Sequence, residues 1–325
     1  MNRILVIGSA VADVTITLPH LPEKKEDVHV RTQHMSLGGC GMNTYDIIRR
    51  FRADAIPFFP VGRGAYGDFV RAQMKLRGIS SPIPEPGEEN GCCYCFIEDD
   101  GERTFLSYHG AEYRFKKEWF SLIDQDTIGY VYVCGLEIEE PTGVHIVSFL
   151  EALKERNQDV KIFFAPGPRI ARIDPALFMR LASLSPILHL NEDEAGKAVE
   201  ICLDSSSACP PVSVTDCMTT GELLAHMHVL AQSLYSVTAS PVMITLGDKG
   251  SCYYDQGDFG HIPAFKVKQI DTNGAGDAHI GAVIAAVSVG KNLREALMIA
   301  NRISSIVVSQ PGATISDRDF PYGLL

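Results

Sequence analysis

The chain has 325 residues, of which 46% are hydrophobic and 21% charged. That is enough to bury the core of one large α/β domain with an embellishment, or of two modest domains. The formal net charge of −11 and the lack of a Lys/Arg-rich block argue against a nucleic-acid-binding protein. Because no apolar run approaches the ~18 residues of a membrane span, no transmembrane segment is predicted.

The nine cysteines are an odd number scattered through apolar runs, which is typical of reduced thiols in a cytoplasmic protein. Cys92, Cys93 and Cys95 lack the ligand spacing of structural zinc sites, and "CCYCFI" is typical of a strand. At the N-terminus, the triplet "AVA" at 10–12 imitates the cleavage site of a secretory leader. We favour a buried first strand, spanning "RILVIGS", and not a secretory leader, because the thiols suit a cytoplasm.

In chain order, short apolar runs alternate with amphipathic segments. Strands are predicted for "RILVIGS", "AIPFFPVG", "IGYVYVCG", "VKIFFAP", "PILHLN" and "PVMITLG". Helices are predicted for "NTYDIIRRF", "GDFVRAQMKLRG", "TGVHIVSFLEALKER" and "PALFMRLASL", and for segments that begin at Glu192, Gly274 and Asn292. The hairpin-like pair "SCYYDQG" and "FGHIPAF" precedes the last two helices. This alternation predicts a mainly parallel sheet covered by helices on both faces.

Two stretches break the alternation. "EDVHVRTQHMSLGG" and "GCCYCFIEDDGERTFLSY" look like strands with no helix between them, and Asp100-Gly101 is a good hairpin turn. They predict a small antiparallel sheet that projects from the main domain. A polar, Ser/Thr/Pro-rich stretch at 203–220 predicts an exposed insertion.

One glycine motif is a decoy. "GRGAYG", at 62–67, matches the G-x-G-x-x-G of dinucleotide-binding proteins. The nearest acidic residue at the expected distance, Glu85, lies in a loop, and two prolines weaken the preceding run as a central strand. A plain turn is favoured, which argues against a dinucleotide-dependent oxidoreductase.

A second glycine turn is more informative. "DTNGAGDAHIGAVIAAV", at 271–287, places glycines where a helix begins, and the free N–H groups there suit a phosphate. Asp277 would sit in the first helical turn, beside that anion. It could accept a proton from a hydroxyl that attacks a phosphoryl group, or it could simply cap the helix. The stretch alone leaves both open.

A third glycine cluster, "LGGCGMN", also precedes a helix. Gly38 and Gly39 permit close approach of a ligand to the backbone, and Asn43 offers both donors and an acceptor. This combination suits a polyhydroxylated ligand.

Together these stretches resemble the ribokinase-like carbohydrate kinases, also called the PfkB family. "GGCGMN" is similar to the N-terminal signature of that family and "DTNGAGDAHIGAVIA" to its C-terminal signature. Between them, "VGRGAYGDFV", "DGERTF", "HLNEDEAGKA" and "MITLGDKGS" follow in the family's order and spacing. The resemblance covers nearly the whole chain. It favours the catalytic role of Asp277 over the cap.

The resemblance implies an α/β three-layer sandwich, with a mainly parallel central sheet between helices. It implies one domain over 1–325, with a small β-sheet lid formed by about 13–37 and 90–112. Asp277 would be the general base, and the amides of Gly274, Ala275 and Gly276 would form the anion hole. The substrate would be held by Asp13, Gly38, Gly39, Asn43 and Glu137. The nucleotide would lie along Asn191, Thr245, Gly247, Asn301, Gly312 and Ala313, with Asn191 and Glu194 in the magnesium region.

Other positions leave alternatives open. Arg169 follows a strand end and could bind a phosphate or an acidic substrate, or could be a surface arginine. Arg103 could reach across the closed site, although a solvent-facing side chain is favoured. His279 stands two positions after the base, so a core or supporting role is favoured. Asp271 and Asn273 are candidate ligands for a monovalent cation such as K⁺.

The predicted function is an ATP- and Mg²⁺-dependent kinase that phosphorylates a hydroxymethyl group of a sugar or sugar-like molecule. A P-loop kinase is excluded because no G-x-x-x-x-G-K-[ST] occurs. By resemblance, Cys40 stands where some ribose-using members carry lysine, which puts strict ribose specificity in doubt. The alternatives are a nucleoside or pseudouridine kinase and a non-catalytic sugar sensor. Pairing of exposed lid edges predicts a homodimer.

Overall fold

The computed structural model describes residues 3–202 and 219–325, so the predicted insertion at 203–220 lies almost entirely outside the described residues. The strands are β1 (Arg3–Ile7), β2 (Val11–Thr17), β3 (Thr32–Gly38), β4 (Ala55–Phe58), β5 (Cys92–Ile97), β6 (Arg103–Tyr108), β7 (Ile128–Cys134), β8 (Lys161–Ala165), β9 (Ile187–Asn191), β10 (Val242–Thr245), β11 (Ser251–Asp255) and β12 (Asp258–Ile262). The α-helices are α1 (Cys40–Arg50), α2 (Gly64–Leu76), α3 (Gly135–Glu139), α4 (Gly143–Arg156), α5 (Pro175–Ala182), α6 (Glu192–Cys202), α7 (Thr220–Thr238), α8 (Ala275–Ser288) and α9 (Leu293–Val307).

Within the described ranges, eight strands form the central sheet, in the order β12-β11-β10-β9-β8-β7-β1-β4. The pairings from β4 to β10 are parallel, and β11 and β12 add an antiparallel hairpin at one edge. Alternation within β1 shows why helices cover both faces. Leu5 and Ile7 pack into one hydrophobic cluster with α4 to α7, whereas Ile4 and Val6 pack into the other with α1, α2, α8 and α9. The predicted three-layer fold and the buried first strand are confirmed.

The four remaining strands form a separate small sheet, in the order β3-β2-β5-β6. Its two outer pairings are antiparallel, as predicted, whereas the central pairing of β2 with β5 is parallel. The turn between β5 and β6 contains Gly101 with φ +89°, which confirms the predicted hairpin. Cys92, Cys93 and Cys95 all lie on β5.

The "GRGAYG" motif forms a turn into α2. The amide of Gly62 donates to Asn90 Oδ1 at 2.9 Å, and a Cβ at Gly67 would lie 1.9 Å from the carbonyl oxygen of Gly62. These glycines therefore permit close packing within the protein. The preceding strand β4 is an edge strand that contains Pro57, which explains the prolines of the run.

Among the elements given above, β2, α3 and α7 were not predicted. Strand β2 begins shortly after the first strand ends, α3 is a helix of 5 residues directly after β7, and α7 follows the polar insertion. Among the described residues, no helix is long and apolar enough to cross a membrane.

Candidate active site

The glycine turn before α8 has the conformation that its sequence requires. Gly274 precedes the helix with φ +72°, and a Cβ there would lie 2.6 Å from the Cβ of Ala313. Only glycine avoids both the left-handed strain and this collision. Gly276 faces open space in the first turn, where backbone N–H groups have no partner four residues earlier. The amide of Ala275 donates to the Thr272 carbonyl oxygen at 3.3 Å. The positive end of α8 is therefore open to an anion beside Gly312-Ala313.

Asp277, in the C-terminal signature, lies in that first turn and contacts Asn43 of the N-terminal signature. Asn43 Nδ2, on α1, donates a hydrogen bond of 2.9 Å to Asp277 Oδ2, and Thr44 Oγ1 donates to the Asp277 carbonyl oxygen at 3.3 Å. Burial raises the pKa of Asp277 to about 6, and the hydrogen bond from Asn43 opposes this shift. The carboxylate is thus ionised at neutral pH and has a pKa near the working range of a general base.

Asp13, on β2, is the second carboxylate of the site. A Cβ at Gly38 would lie 1.9 Å from Asp13 Oδ2, so this glycine makes room for the carboxylate. Burial, and then the charge of Asp277, raise the pKa of Asp13 to about 7. Gly39, with φ +96°, passes so close to strand β1's end that a Cβ would lie 2.7 Å from the Ser9 carbonyl oxygen.

Three buried side chains carry polar atoms that the described residues leave without a hydrogen-bond partner. They are Ser9 Oγ, Asn43 Oδ1 and both carboxylate oxygens of Glu137. Burial raises the pKa of Glu137 to about 8, and the Asp277 charge contributes to the shift. Such groups are costly unless a ligand or water satisfies them. Sequence reasoning missed Ser9, whose signal was its place just after a central strand.

We call Asp13, Asn43, Glu137 and Asp277 the acidic cluster. Asn43 contacts Asp277 directly, and the Asp277 charge affects the pKa values of Asp13 and Glu137. The cluster therefore brings together residues from the small sheet, α1, α3 and α8 at the carboxyl ends of central strands, where ligands of parallel sheets bind.

The predicted nucleotide side begins at β9. Asn191 Nδ2 donates to Glu194 Oε1 at 2.9 Å, and the Glu194 amide donates to Asn191 Oδ1 at 2.8 Å. Burial raises the pKa of Glu194, and the charge of Asp277 adds to the effect. Thr245 pairs with Asn191 in the sheet register, and Gly247 follows it with φ +55° and open space beside it. Asn191 and Thr245 thus lie at neighbouring strand ends, and the effect of the Asp277 charge on Glu194 places that carboxylate within electrostatic range of the α8 turn.

Asn301 is more buried than the other residues of the predicted nucleotide site. Its Oδ1 accepts from Ser251 Oγ at 3.0 Å and lies 3.0 Å from His279 Nε2, while its Nδ2 donates to the Ile262 carbonyl oxygen at 2.9 Å. Both ends of the Asn301 amide are engaged within the protein, so its predicted contact with the nucleotide stays a prediction. Burial lowers the pKa of His279 to about 4, and a core histidine is confirmed.

Two arginines near the site are already paired. Arg169 Nε donates to Glu139 Oε2 at 2.5 Å, and Arg103 Nη1 on β6 donates to Asp271 Oδ1 at 2.5 Å. Arg103 therefore reaches across to the loop before α8, contrary to the favoured solvent-facing position. The Asp271 carboxylate also accepts from the amides of Asn273, at 2.8 Å, and Gly312, at 2.9 Å.

Residues 1–319 match the model of the pfkB family carbohydrate kinases. The chain belongs to this family. It is 31% identical over 311 residues to the uncharacterized sugar kinase YegV of Escherichia coli (strain K12), which covers 96% of this chain and 90% of that protein. It is 26% identical over 324 residues to the ribokinase of Staphylococcus aureus (strain COL), covering 97% and 96%. The predicted family is confirmed.

A solved structure supports the same fold. The ribokinase of Cryptococcus neoformans, crystallised in complex with ADP, gives a TM-score of 0.79 at 24% identity and covers 99% of this chain and 98% of its own. A pfkB family carbohydrate kinase is a phosphotransferase with an alcohol group as acceptor, and the chain is therefore an enzyme of this class.

Proposed function

We propose that this pfkB family kinase transfers the γ-phosphoryl group of ATP to a hydroxymethyl group of a neutral sugar or sugar-like substrate. The observation that carries the proposal is the position of Asp277, which is held by Asn43 at the open N-terminus of α8. A carboxylate in that place is close to both a bound phosphate and a substrate hydroxyl.

The substrate end of the site is rich in acceptors. Asn43 Oδ1 and both carboxyl oxygens of Glu137 have no partner among the described residues, and Asp13 adds a third polar group. Because the pKa of Glu137 is about 8, its carboxyl group is protonated at neutral pH, so it can donate one hydrogen bond to a substrate hydroxyl and accept others. Several hydroxyl donors on one molecule would satisfy them, and Gly38 and Gly39 leave the backbone accessible.

The charge of the site favours an uncharged substrate. At neutral pH Asp277 is ionised and Asp13 is partly ionised, so both would repel a carboxylate or a phosphate ester, whereas Glu137, whose pKa is about 8, is protonated and adds no charge. The nearby arginines do not offset that repulsion. Arg169 is paired with Glu139 and Arg103 with Asp271. Arg169 is therefore not proposed as a ligand for an acidic substrate.

In the proposed step, Asp277 accepts the proton of the hydroxyl as its oxygen bonds to the γ-phosphorus. The bond from that phosphorus to the β–γ bridging oxygen breaks, and ADP leaves with the electron pair. The amides of Gly274, Ala275 and Gly276 stabilise the negative charge that builds up on the transferring group. Preorganised backbone dipoles suit this task because they need no reorganisation during the step.

The nucleotide and its cation would lie at the other end of the cluster. Thr245, Gly247, Asn301, Gly312 and Ala313 would line the nucleotide. The Asn191–Glu194 pair faces the same region as Asp277, and a buried carboxylate with further lone pairs fits Mg²⁺. Mg²⁺, when bound, neutralises charge on the ATP phosphates.

A monovalent cation is not proposed at the predicted position. Both oxygens of Asp271 already accept hydrogen bonds, one from Arg103 and the Asn273 amide and the other from the Gly312 amide. Arg103 therefore already occupies the Asp271 carboxylate that K⁺ would need as a ligand.

The small sheet would act as the lid over the sugar, with the segments about 13–37 and 90–112 as its bounds. Its edge strand β6 exposes Phe105, Leu106 and Tyr108 to more than half of their area. Because exposed apolar edges invite pairing, we propose a homodimer through this sheet. Sedimentation equilibrium that shows only monomer at micromolar concentration would contradict it.

The experiment is phosphoryl transfer from ATP–Mg²⁺ to a panel of neutral sugars, sugar acids, sugar phosphates and nucleosides. We expect turnover on a neutral sugar, lost by roughly 10²–10⁴-fold in Asp277→Asn. Asp159→Asn, which removes the same charge from an exposed loop, is the control.

Each other result identifies an alternative. Turnover on a nucleoside alone would support a nucleoside or pseudouridine kinase, and ATP binding without turnover on any member would support a sensor. Turnover unaffected by Asp277→Asn would contradict the general base.

A further inference from the structure

A cavity of about 330 Å³ lies between α1, the end of α2 and the segment after α9, and no member of the acidic cluster lines it. Its lining combines apolar and polar side chains, among them Met42, Asp46, Arg50, Arg77, Thr314 and Ser316. The volume is at the lower end of that of small-molecule sites, which occupy about 300–1,000 Å³.

The charges around the cavity do not balance. Asp46 is buried and pairs with Arg49 and Arg50, at 2.8 and 2.7 Å. Arg50 also pairs with Asp317, whose side chain is largely exposed. These pairs leave Arg77 as the remaining positive charge.

Arg77 has no carboxylate within 4.0 Å in the part of the chain that the structure describes. It ends α2, is half-buried, and lines the cavity. Burial lowers its pKa, Asp46 opposes the shift, and the charges of Arg49 and Arg50 add to it. A half-buried guanidinium beside two others is costly unless an anion compensates it.

We propose that this cavity is a binding site for a small oxyanion, a phosphate or carboxylate group on a small metabolite, with Arg77 as its principal ligand. Arg77 supplies the uncompensated charge, and its planar fork matches the geometry of such a group. The hydroxyls of Thr314 and Ser316 line the same cavity and are the additional donors.

The place of the cavity connects it to both ends of the active site. The segment 310–316 contains Gly312, whose amide donates to Asp271, and Ala313, which contacts the turn at Gly274. On the other wall, Met42 precedes Asn43 of the acidic cluster. An anion in this cavity would therefore contact elements that support both the nucleotide and the sugar.

The test uses the full chain and inorganic phosphate as the probe, with calorimetric titration at constant ionic strength and saturating ATP analogue to fill the turn at Gly274. We expect Arg77→Gln to weaken phosphate binding by about tenfold or more, and Arg77→Lys to retain most of it. Lys75→Gln removes one charge from the exposed side of the same helix end and is expected to bind like the unmodified protein.

Two results would overturn the proposal. One is the lack of measurable phosphate binding by the unmodified protein at tens of millimolar phosphate. The other is equal binding by Arg77→Gln and Lys75→Gln, which would place the anion elsewhere. Circular dichroism of Arg77→Gln, matched to that of the unmodified protein, ensures that lost binding is not lost folding.

Discussion

Arg103 on the small sheet donates from Nη1 to Asp271 Oδ1 at 2.5 Å, across 168 positions of the chain. The two side chains are only 23% and 14% exposed, and the same carboxylate accepts from the amide of Gly312. Asp271 lies three residues before the turn at Gly274. The ion pair thus links the position of the small sheet to the turn that would receive the phosphoryl charge.

Removing this link should impair catalysis. In Arg103→Gln, Asp271 keeps its two backbone donors but loses its only charged partner among the described residues. A partly buried charged hydrogen bond contributes about 1.5–3 kcal/mol, so we expect kcat/KM for the sugar to fall by about 10–100-fold. Steady-state kinetics on the substrate identified in the panel measures this effect.

The matched control is Arg31→Gln. Arg31, just before β3, pairs with Asp99, just after β5, but both side chains are about half exposed. Exposed pairs contribute about 0–1 kcal/mol, so kcat/KM should change by less than about fivefold. Equal effects of the two substitutions would mean that Arg103 has no special role.

The same pair makes a prediction about monovalent cations. Because the Arg103 guanidinium already compensates the negative charge of Asp271, turnover should not require K⁺. We expect rates in K⁺, Na⁺ and tetramethylammonium chloride at equal ionic strength to agree within about twofold, because screening alone then differs little. Activation by K⁺ of tenfold or more would show that a cation site exists despite the ion pair.

The hydrophobic pattern of the sequence predicted most strands and helices, because each of these elements depends on residues that are close together in the chain. The apolar runs that became β1, β7 and β8 are buried on both faces, so their composition shows in the sequence. Helix α7 also had a readable signal, since Leu223, Met227, Leu230 and Leu234 follow a helical spacing. It was missed because it begins directly after a polar stretch.

The contacts across the site could not be predicted in this way. Asn43 and Asp277 are 234 positions apart, and only the resemblance to a family placed them in one site. Nothing in "DGERTF" indicates that Arg103 meets Asp271, because side-chain reach depends on how the small sheet sits. The missing partners of Ser9 and Glu137 likewise depend on packing that no local pattern encodes.

The acidity of Asp277 predicts the pH dependence of the reaction. A general base must be ionised, and burial raises its pKa to about 6. Asp13, whose pKa is raised to about 7, must also be ionised to accept hydroxyl donors with both oxygens. We therefore expect kcat/KM at saturating ATP–Mg²⁺ to rise with pH between about 5 and 8, and to level off above about 8. A profile that is flat or falls over that interval would contradict the role of Asp277.

The raised pKa of Glu137 predicts that the stability of the fold decreases as the pH rises, whereas kcat/KM is expected to increase. Its pKa of about 8 in the folded protein exceeds the ordinary value of 4.5, so the folded state binds the proton more tightly than the unfolded state. The resulting stabilisation is fully present below about pH 4.5 and is lost as the pH rises through about 8, with a slope of up to about 1.4 kcal/mol per pH unit. Ionising this fully buried carboxyl without a partner is what destabilises the fold.

Glu137→Gln removes the titration but keeps the shape of the side chain. The free energy of unfolding of this variant, relative to the unmodified protein, should therefore increase from pH 5 to pH 8. Urea unfolding across that range measures the difference, and Glu155→Gln, on the exposed side of α4, controls for the loss of one negative charge. Asp13 and Asp277 titrate in both proteins, and the coupling of Glu137 to the Asp277 charge is part of the measured difference. If the difference in the free energy of unfolding between Glu137→Gln and the unmodified protein stays constant with pH, the pKa of Glu137 is not raised in solution. Its carboxyl group would then have a partner and would not be free to bind a sugar hydroxyl.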